Sequence, residues 1–122
     1  MQVLVGVGGT ERSFGALEGA LERARQAGDE VAVAVFDDPS ATLTREQVRD
    51  RISTILEEYD RDVKLQDIDG DPGSQLVQVA ENGEFDQLVL GDGNRTPMGK
   101  IQLDSIAQFV LFNSHVTVKL VR

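Results

Sequence analysis

Cysteine and tryptophan are missing from the 122-residue sequence, and histidine occurs once, as His115. Without cysteine the chain has no disulfide framework, no thiol nucleophile and no thiolate metal site. Its apolar runs are only a few residues long, which excludes a transmembrane helix. Met1 leads directly into an apolar strand pattern without the basic segment of a signal peptide, so we expect a cytoplasmic protein with no membrane partner.

Lysine is also scarce, and the charge of the chain is strongly negative. Acidic residues number 21 and basic residues 12, which gives a net charge of −9, and the only lysines are Lys64, Lys100 and Lys119. This charge disfavours nucleic acid as a partner, because its binding needs clustered lysine and arginine. An acidic, lysine-poor surface suits a salt-rich cytoplasm, so we expect a halophilic source, with an ordinary acidic protein as the alternative.

Strand patterns alternate with helical patterns along the chain. Valine-rich or alternating segments predict five strands, at residues 3–7, 30–37, 63–68, 85–90 and 116–120. Apolar residues at helical spacing predict four helices, at residues 14–27, 45–59, 72–82 and 105–112, and residues 92–103 are predicted to form a long loop. Tyr59 and the five phenylalanines are expected in the core.

The predicted helix starts carry recognisable capping residues. Ser13 is predicted to cap the first helix, and Thr44 and Gln47 are predicted to form a capping box at the start of the second. Asp71-Pro72 is predicted to begin the third helix, with aspartate as the cap and proline at the first helical position. The starts of these helices are therefore specified by residues that lie close to them in the sequence.

The alternation of strands and helices favours an α/β fold with a parallel sheet, helices on both faces and one domain over residues 1–122. Ligands of such sheets bind beyond the carboxyl ends of the strands, where the strand order reverses. Glycine-rich loops follow the first and fourth strands, at Gly6–Gly9 and Gly91–Asn94. If both loops flank one crevice, the strand order is 3-2-1-4-5, although the glycines of residues 69–73 leave another arrangement open.

The loop at Gly93–Lys100 is similar to a phosphate-binding P-loop but departs from it. Its spacing is one residue too long, and Ile101 stands where a Mg²⁺-binding serine or threonine should follow the lysine. Arg95 still adds positive charge near a helix start, so anion binding and a solvated, turn-rich loop are equal alternatives. A response-regulator receiver is set aside, because Gly8-Gly9 stand where its acidic pair is needed.

Several segments together resemble the universal stress protein family, over nearly the whole chain. They are residues 3–13 with 16–17, residues 70–72, residues 79–80 with 85–91, and residues 105–111 with 116–118. Residues 36–40 and 95–100 look most like haloarchaeal members. The resemblance implies a Rossmann-like sheet of the adenine nucleotide alpha hydrolase type, in the order 3-2-1-4-5, and homodimers that pair their fifth strands. Val116, Val118 and Leu120 would form the dimer edge, unless Lys119 protects the edge of a monomer.

Family members that bind ATP carry Gly-x₂-Gly-x₉-Gly-Ser/Thr after the fourth strand and an aspartate at the end of the first. Gly91 and Ser105 match this pattern, whereas Asn94 and Asp104 replace two of its glycines and Gly8 replaces the aspartate. The resemblance implies the following candidate nucleotide-binding residues: Val7, Gly8, Gly9, Val35, Gly91, Asn94, Gly99 and Ser105.

Asp104 is the departure with the largest expected effect on phosphate binding. At the start of the fourth helix its carboxylate can cap the N–H groups that would otherwise receive phosphate. A phosphate ~4 Å away would be repelled by about 4 kcal/mol at an effective dielectric of ~20, or about a thousandfold in affinity. The predicted charges at this edge are seven acids, Glu11, Asp37, Asp38, Asp69, Asp71, Asp92 and Asp104, against three bases, Arg12, Arg95 and Lys100.

We therefore expect a stress-response module that dimerises and acts by binding, with a degenerate pocket that does not hold ATP tightly and with no cofactor or metal. The alternative is a switch that binds ATP or AMP, with or without Mg²⁺, through Gly91, Asn94, Gly99 and Ser105. An enzyme, such as a slow phosphohydrolase, is least favoured, since no base or metal-ligand set is visible and His115 is expected to begin a strand.

The charge balance predicts that salt stabilises the fold. Repulsion among the excess acidic residues is screened in concentrated salt, so the melting temperature should be higher in molar KCl than in dilute buffer. Thermal unfolding followed by circular dichroism measures the difference. A melting temperature that is the same in both buffers would contradict the halophilic interpretation.

Overall fold

The structure, a computed structural model, describes residues 1–91, 94–95 and 101–121. Its strands are β1 (Gln2–Val7), β2 (Glu30–Val35), β3 (Lys64–Asp67), β4 (Gln87–Gly91), β5 (Asn94–Arg95), β6 (Ile101–Gln102) and β7 (Thr117–Val121). Its helices are α1 (Glu11–Ala27), α2 (Arg45–Glu58), α3 (Pro72–Asn82) and α4 (Ser105–Asn113). Five strands form a parallel sheet in the order β3-β2-β1-β4-β7, which confirms the predicted order with β7 as the fifth strand.

The sheet is covered on both faces by separate apolar clusters. Successive side chains of a strand point to opposite faces, so β1 sends Val3, Val5 and Val7 into the cluster with α1 and α2. Leu4 points the other way, into the cluster with α3 and α4. β2 is likewise buried on both faces, as its run of valine and alanine predicted.

Hydrogen bonds at the helix starts confirm the predicted caps of α2 and α3. Thr44 and Gln47 form the predicted capping box, and the Asp71 side chain accepts from Ser74 N at 3.0 Å. The prediction for Ser13 is wrong. Thr10 caps α1, because its hydroxyl accepts from Ser13 N at 3.2 Å and the buried Ser13 lies in the first turn.

Several other predicted boundaries differ from the structure. β2 ends at Val35 and not at residue 37, and β4 begins at Gln87 and not at residue 85. The segment at 92–103 is not a plain loop, since β5 and β6 pair within it in antiparallel fashion, which gives this long connection some structure of its own. β3 is limited to Lys64–Asp67, the stretch that pairs with β2, although the flanking Ile68 is buried. β7 begins at Thr117, so His115 precedes the strand and does not begin it.

The aromatic side chains are only partly in the core. Phe14 and Phe36 are buried, but Phe109 is 39% exposed and Phe112 is 85% exposed, which contradicts the prediction of five core phenylalanines. Phe109 contacts Gly73 at the start of α3, and Phe112 points to solvent from the last turn of α4. None of the helices in the described residues is long and apolar enough to span a bilayer.

Gly91, at the end of β4, lies against the first turn of α1. An ideal Cβ built at this position meets the backbone carbonyl of Arg12 and lies 2.6 Å from Ser13 N. Backbone atoms cannot move aside as a side chain can, so the helix and the strand approach this closely only because residue 91 is glycine. This position therefore has a packing role whether or not a ligand contacts it.

Gly91→Ala is expected to destabilise the fold by at least about 1–3 kcal/mol, because the added methyl group meets backbone. Gly19→Ala is the matched control, since Gly19 lies in α1 and its ideal Cβ meets nothing within 4 Å. That variant should stabilise the chain by about 0.5–1 kcal/mol. Urea unfolding in molar salt measures both, and a Gly91→Ala chain as stable as the unmodified one would refute the packing role.

Candidate functional site

The candidate site is the crevice at the carboxyl edge of the sheet, where the strand order reverses between β1 and β4. The residues after β1 and β2, the end of β4 and the start of α4 meet there. They line one small cavity that includes Thr10, Asp38, Gly91, Asp104 and Ala107. The crevice therefore brings together residues that are far apart in the sequence but were predicted to share one edge.

Val7 and Val35, two of the candidate contact residues, offer only their backbone to this edge. Both side chains are buried in the cluster beneath α1 and α2. The carbonyl of Val7 accepts from Phe36 N at 3.1 Å, and the carbonyl of Val35 accepts from Ile68 N at 2.8 Å. These carbonyls hold the chain in register just beyond the strands.

Gly8 and Gly9 form the turn after β1, and neither has room for a side chain. An ideal Cβ at Gly8 lies 2.7 Å from Phe36 Cε2 and 2.8 Å from Asp38 Cβ. Gly9 has a φ of 94°, a conformation that suits glycine, and its ideal Cβ lies 2.8 Å from Val48 Cγ2. Position 8 thus lacks an acceptor side chain, and the space beside it is filled.

Phe36 was not among the predicted site residues, although its ring lies against Gly8 and lines the cavity. Its side chain is 5% exposed and packs with the apolar cluster beneath α3 and α4. The cavity that it lines has a volume of about 10 Å³, which is about enough for one water molecule. A large apolar residue directly after a buried strand is the sequence signal that could have identified it.

Asp104 caps α4, as the sequence predicted. Its Oδ1 accepts from the backbone N–H of Ala107 at 2.8 Å. This bond places a negative charge at the positive end of the helix dipole. Ser105, the matching residue of the nucleotide pattern, is exposed at the first position of α4.

Asn94 and Gly99, the remaining candidates, belong to the connection between β4 and α4, of which the structure describes only part. The backbone of Asn94 pairs with Gln102 in the short antiparallel pair of β5 and β6. Gly99 lies outside the described residues, and so does the basic residue Lys100. Their assignment as nucleotide contacts therefore stays a prediction from the resemblance.

Arginines of α2 change the predicted charge balance at this edge. Arg45 pairs with Asp37 at 3.0 Å and with Asp67 at 3.3 Å, and it donates to the carbonyl of Ile68 at 3.0 Å. Arg49 pairs with Asp67 as well. The predicted count of three bases at this edge is therefore wrong, because it left out Arg45 and Arg49. Their i,i+4 spacing directs both side chains to one side of α2.

A third arginine of α2 pairs with Glu11, one of the seven acids in that count. Arg51 donates to both carboxylate oxygens of Glu11, each at 3.1 Å, and its guanidinium lies 4.6 Å from the centre of the Phe14 ring. The hydrogen bond and the charge of Glu11 raise the pKa of Arg51 above its ordinary value. Glu11 is therefore directed towards α2 and adds less negative charge to the crevice than expected.

The described residues provide no group of three histidine, cysteine or acidic side chains that could hold a metal ion. The acids after β2 and β3 converge on Arg45. His115 lies ahead of β7, at the opposite edge of the parallel sheet, and its backbone N–H donates to Glu81 Oε1 at 3.1 Å. The geometry places this histidine away from the crevice.

A parallel sheet in this order, with a crevice at the reversal of strand order, defines a Rossmann-like α/β protein. A sequence model described as the universal stress protein family matches residues 1–122, so the chain belongs to that family. This membership confirms the resemblance on which the candidate nucleotide residues rest. It does not test the roles of the individual residues.

Individual relatives are similar at moderate identity. A universal stress protein of Methanocaldococcus jannaschii is 28% identical over 72 residues, which is 59% of this chain and 42% of that protein. The alignment thus covers less than half of that relative's length. The structure of a universal stress protein in complex with cAMP is 25% identical with a TM-score of 0.76, covering 100% of this chain and 96% of the other. A universal stress protein structure from Archaeoglobus fulgidus is 21% identical with a TM-score of 0.77, covering 100% and 98% of the two chains.

Proposed function

We propose that this chain is a single-domain universal stress protein of the cytoplasm that acts by dimerisation and binding, and that its crevice does not hold ATP tightly. The observation that carries the proposal is the hydrogen bond from Ala107 N to Asp104 Oδ1. A helix N-terminus offers N–H groups and a positive dipole end to phosphate. In this chain an aspartate uses that position.

The Asp104 carboxylate competes with phosphate for N–H groups, and its negative charge also repels phosphate. Two like charges ~4 Å apart repel by about 4 kcal/mol at an effective dielectric of ~20. Asp104 is exposed, so salt screens part of this repulsion and the loss of affinity falls below the thousandfold upper figure. The loss is still large enough to separate a tight ATP site from a weak one.

A nucleotide-responsive switch is the second candidate function. The similar universal stress protein at 25% identity was crystallised in complex with cAMP, which supports an adenine nucleotide as the ligand class. In this alternative, ATP or AMP binds weakly through Gly91, Asn94, Gly99 and Ser105, with or without Mg²⁺. Slow hydrolysis of bound ATP is the least favoured extension, because His115, the single histidine of the sequence, lies away from the crevice.

Titration with ATP and with inorganic triphosphate, each with and without Mg²⁺ in molar salt, tests the proposal. The unmodified chain should bind both weakly. Asp104→Asn removes the charge and keeps a good helix cap, so it should bind triphosphate at least about tenfold more tightly at nearly unchanged stability. Asp104→Ala is the control for the cap, because it should lower stability by about 0.5–2 kcal/mol.

Two results of this titration would overturn the proposal. Saturable ATP binding at micromolar concentration by the unmodified chain would favour the nucleotide switch. Equal triphosphate affinities for the unmodified chain and Asp104→Asn would show that the Asp104 charge does not govern phosphate binding.

The homodimer proposal rests on β7 and the adjoining surface of α4. In the described chain β7 pairs with β4 on one side only, so its outer edge presents unpaired backbone groups. Val118 and Leu120, with Val116 ahead of the strand, pack against the cluster beneath α4, which leaves the backbone edge for pairing. Phe112 and Leu111 form an exposed apolar surface on α4, which a second copy would cover.

Light scattering in molar salt should give twice the 13.3 kDa mass of the chain. Phe112→Ser should shift the equilibrium towards the monomer, because it removes apolar area from the proposed interface. Leu65→Ser is the matched control, since Leu65 is 42% exposed on β3, at the other edge of the sheet. A 13.3 kDa species at every concentration would rule out the dimer.

A further inference from the structure

The position of Phe36 depends on the close register of β1 and β2. Their parallel pairing runs through Val7 and Val35, and Phe36 N then donates to Val7 O at 3.1 Å. Phe36, the first residue after β2, therefore still lies alongside the end of β1. The ring of Phe36 is held above the end of β1, beside Gly8.

The contacts of the ring show that it fills the start of the crevice. Its Cε2 and Cζ atoms lie 2.7 and 2.8 Å from an ideal Cβ at Gly8, and its Cε1 lies 3.4 Å from an ideal Cβ at Gly6. Ligand sites typically have volumes of about 300–1,000 Å³. The cavity that Phe36 lines with other described residues has a volume of about 10 Å³, which is far below this range.

Asp38 also restricts the space beside Gly8. Its Cβ lies 2.8 Å from the ideal Cβ at Gly8. Its Oδ1 accepts from Ser40 N at 2.9 Å and from Ser40 Oγ at 2.8 Å, which fixes the turn after β2. The turn and the ring are therefore built into the fold and restrict the space above Gly8 together.

We infer that Phe36 determines the specificity of the crevice: its ring fills the space beside Gly8 and excludes a nucleoside from it independently of Asp104. The inference rests on the proposed function for the ligand class, since an adenine nucleotide is the ligand considered there. It concerns the nucleoside part of that ligand, whereas Asp104 acts on the phosphate part. A nucleoside without phosphate tests it separately, because Asp104 has no phosphate to repel.

Adenosine binding measured by calorimetry in molar salt is the direct test. The unmodified chain should show no saturable binding, and Phe36→Ala should bind adenosine at least tenfold more tightly. Leu65→Ala is the control, because it removes an exposed apolar side chain from β3 that does not line the cavity and should leave binding unchanged. Phe36→Leu removes the ring but keeps a branched apolar side chain for the core. If Phe36→Ala does not fold, adenosine binding is measured with Phe36→Leu.

A folded Phe36→Ala or Phe36→Leu chain that binds adenosine no better than the unmodified chain would overturn the inference. That result would leave the proposed function intact, since the proposed function fails only if the unmodified chain binds ATP tightly or Asp104 has no effect on triphosphate. Adenosine binding by the unmodified chain would also overturn the inference.

Thermal unfolding supplies an independent readout that needs no ligand. Gly8→Ser should lower the melting temperature of the unmodified chain, because the new side chain meets the Phe36 ring. In the Phe36→Leu background the same substitution should cost less, because the ring is gone. Equal losses in the two backgrounds would show that Phe36 does not fill the space above Gly8.

Discussion

Close approach at the carboxyl ends of β1 and β4 is the constraint on which this architecture depends. An ideal Cβ at Gly6 lies 2.6 Å from Leu90 Cδ2, one at Gly8 lies 2.7 Å from Phe36, and one at Gly91 meets the backbone of α1. Glycine at these positions lets the first turn of α1 and the segment after β2 converge on the central strands. The same convergence sets how much room remains for a ligand.

Among the described residues of the crevice, two side chains of the protein take up space or N–H groups that a ligand could use. Phe36 lies beside Gly8, and Asp104 holds an N–H group at the start of α4. Ion pairs from Arg45 and Arg51 draw neighbouring acids towards α2. This arrangement supports the proposal that the protein keeps the family fold for association and binding, with little room for a nucleotide beside the described residues of the crevice.

The fold was predictable because short-range signals agree with the packing. The alternating valines of β1, the capping box at Thr44 and the cap at Asp104 act within a few residues, and the structure confirms them. Ser13 was misassigned because Thr10, three residues earlier, is an equally good cap, and pattern alone does not separate them. Phe36 and Arg45 were missed as site residues because the direction of a side chain beyond a strand end or at a helix start depends on tertiary packing.

A nuclear Overhauser measurement on the chain with excess AMP in molar salt tests the filling of the crevice most directly. The account predicts strong cross-peaks between the Phe36 ring protons and the Gly8 Hα protons, because the ring lies against that glycine. It also predicts that these cross-peaks keep their intensity when AMP is added. Loss of the cross-peaks, with new ones between Gly8 and the adenosine protons, would contradict it.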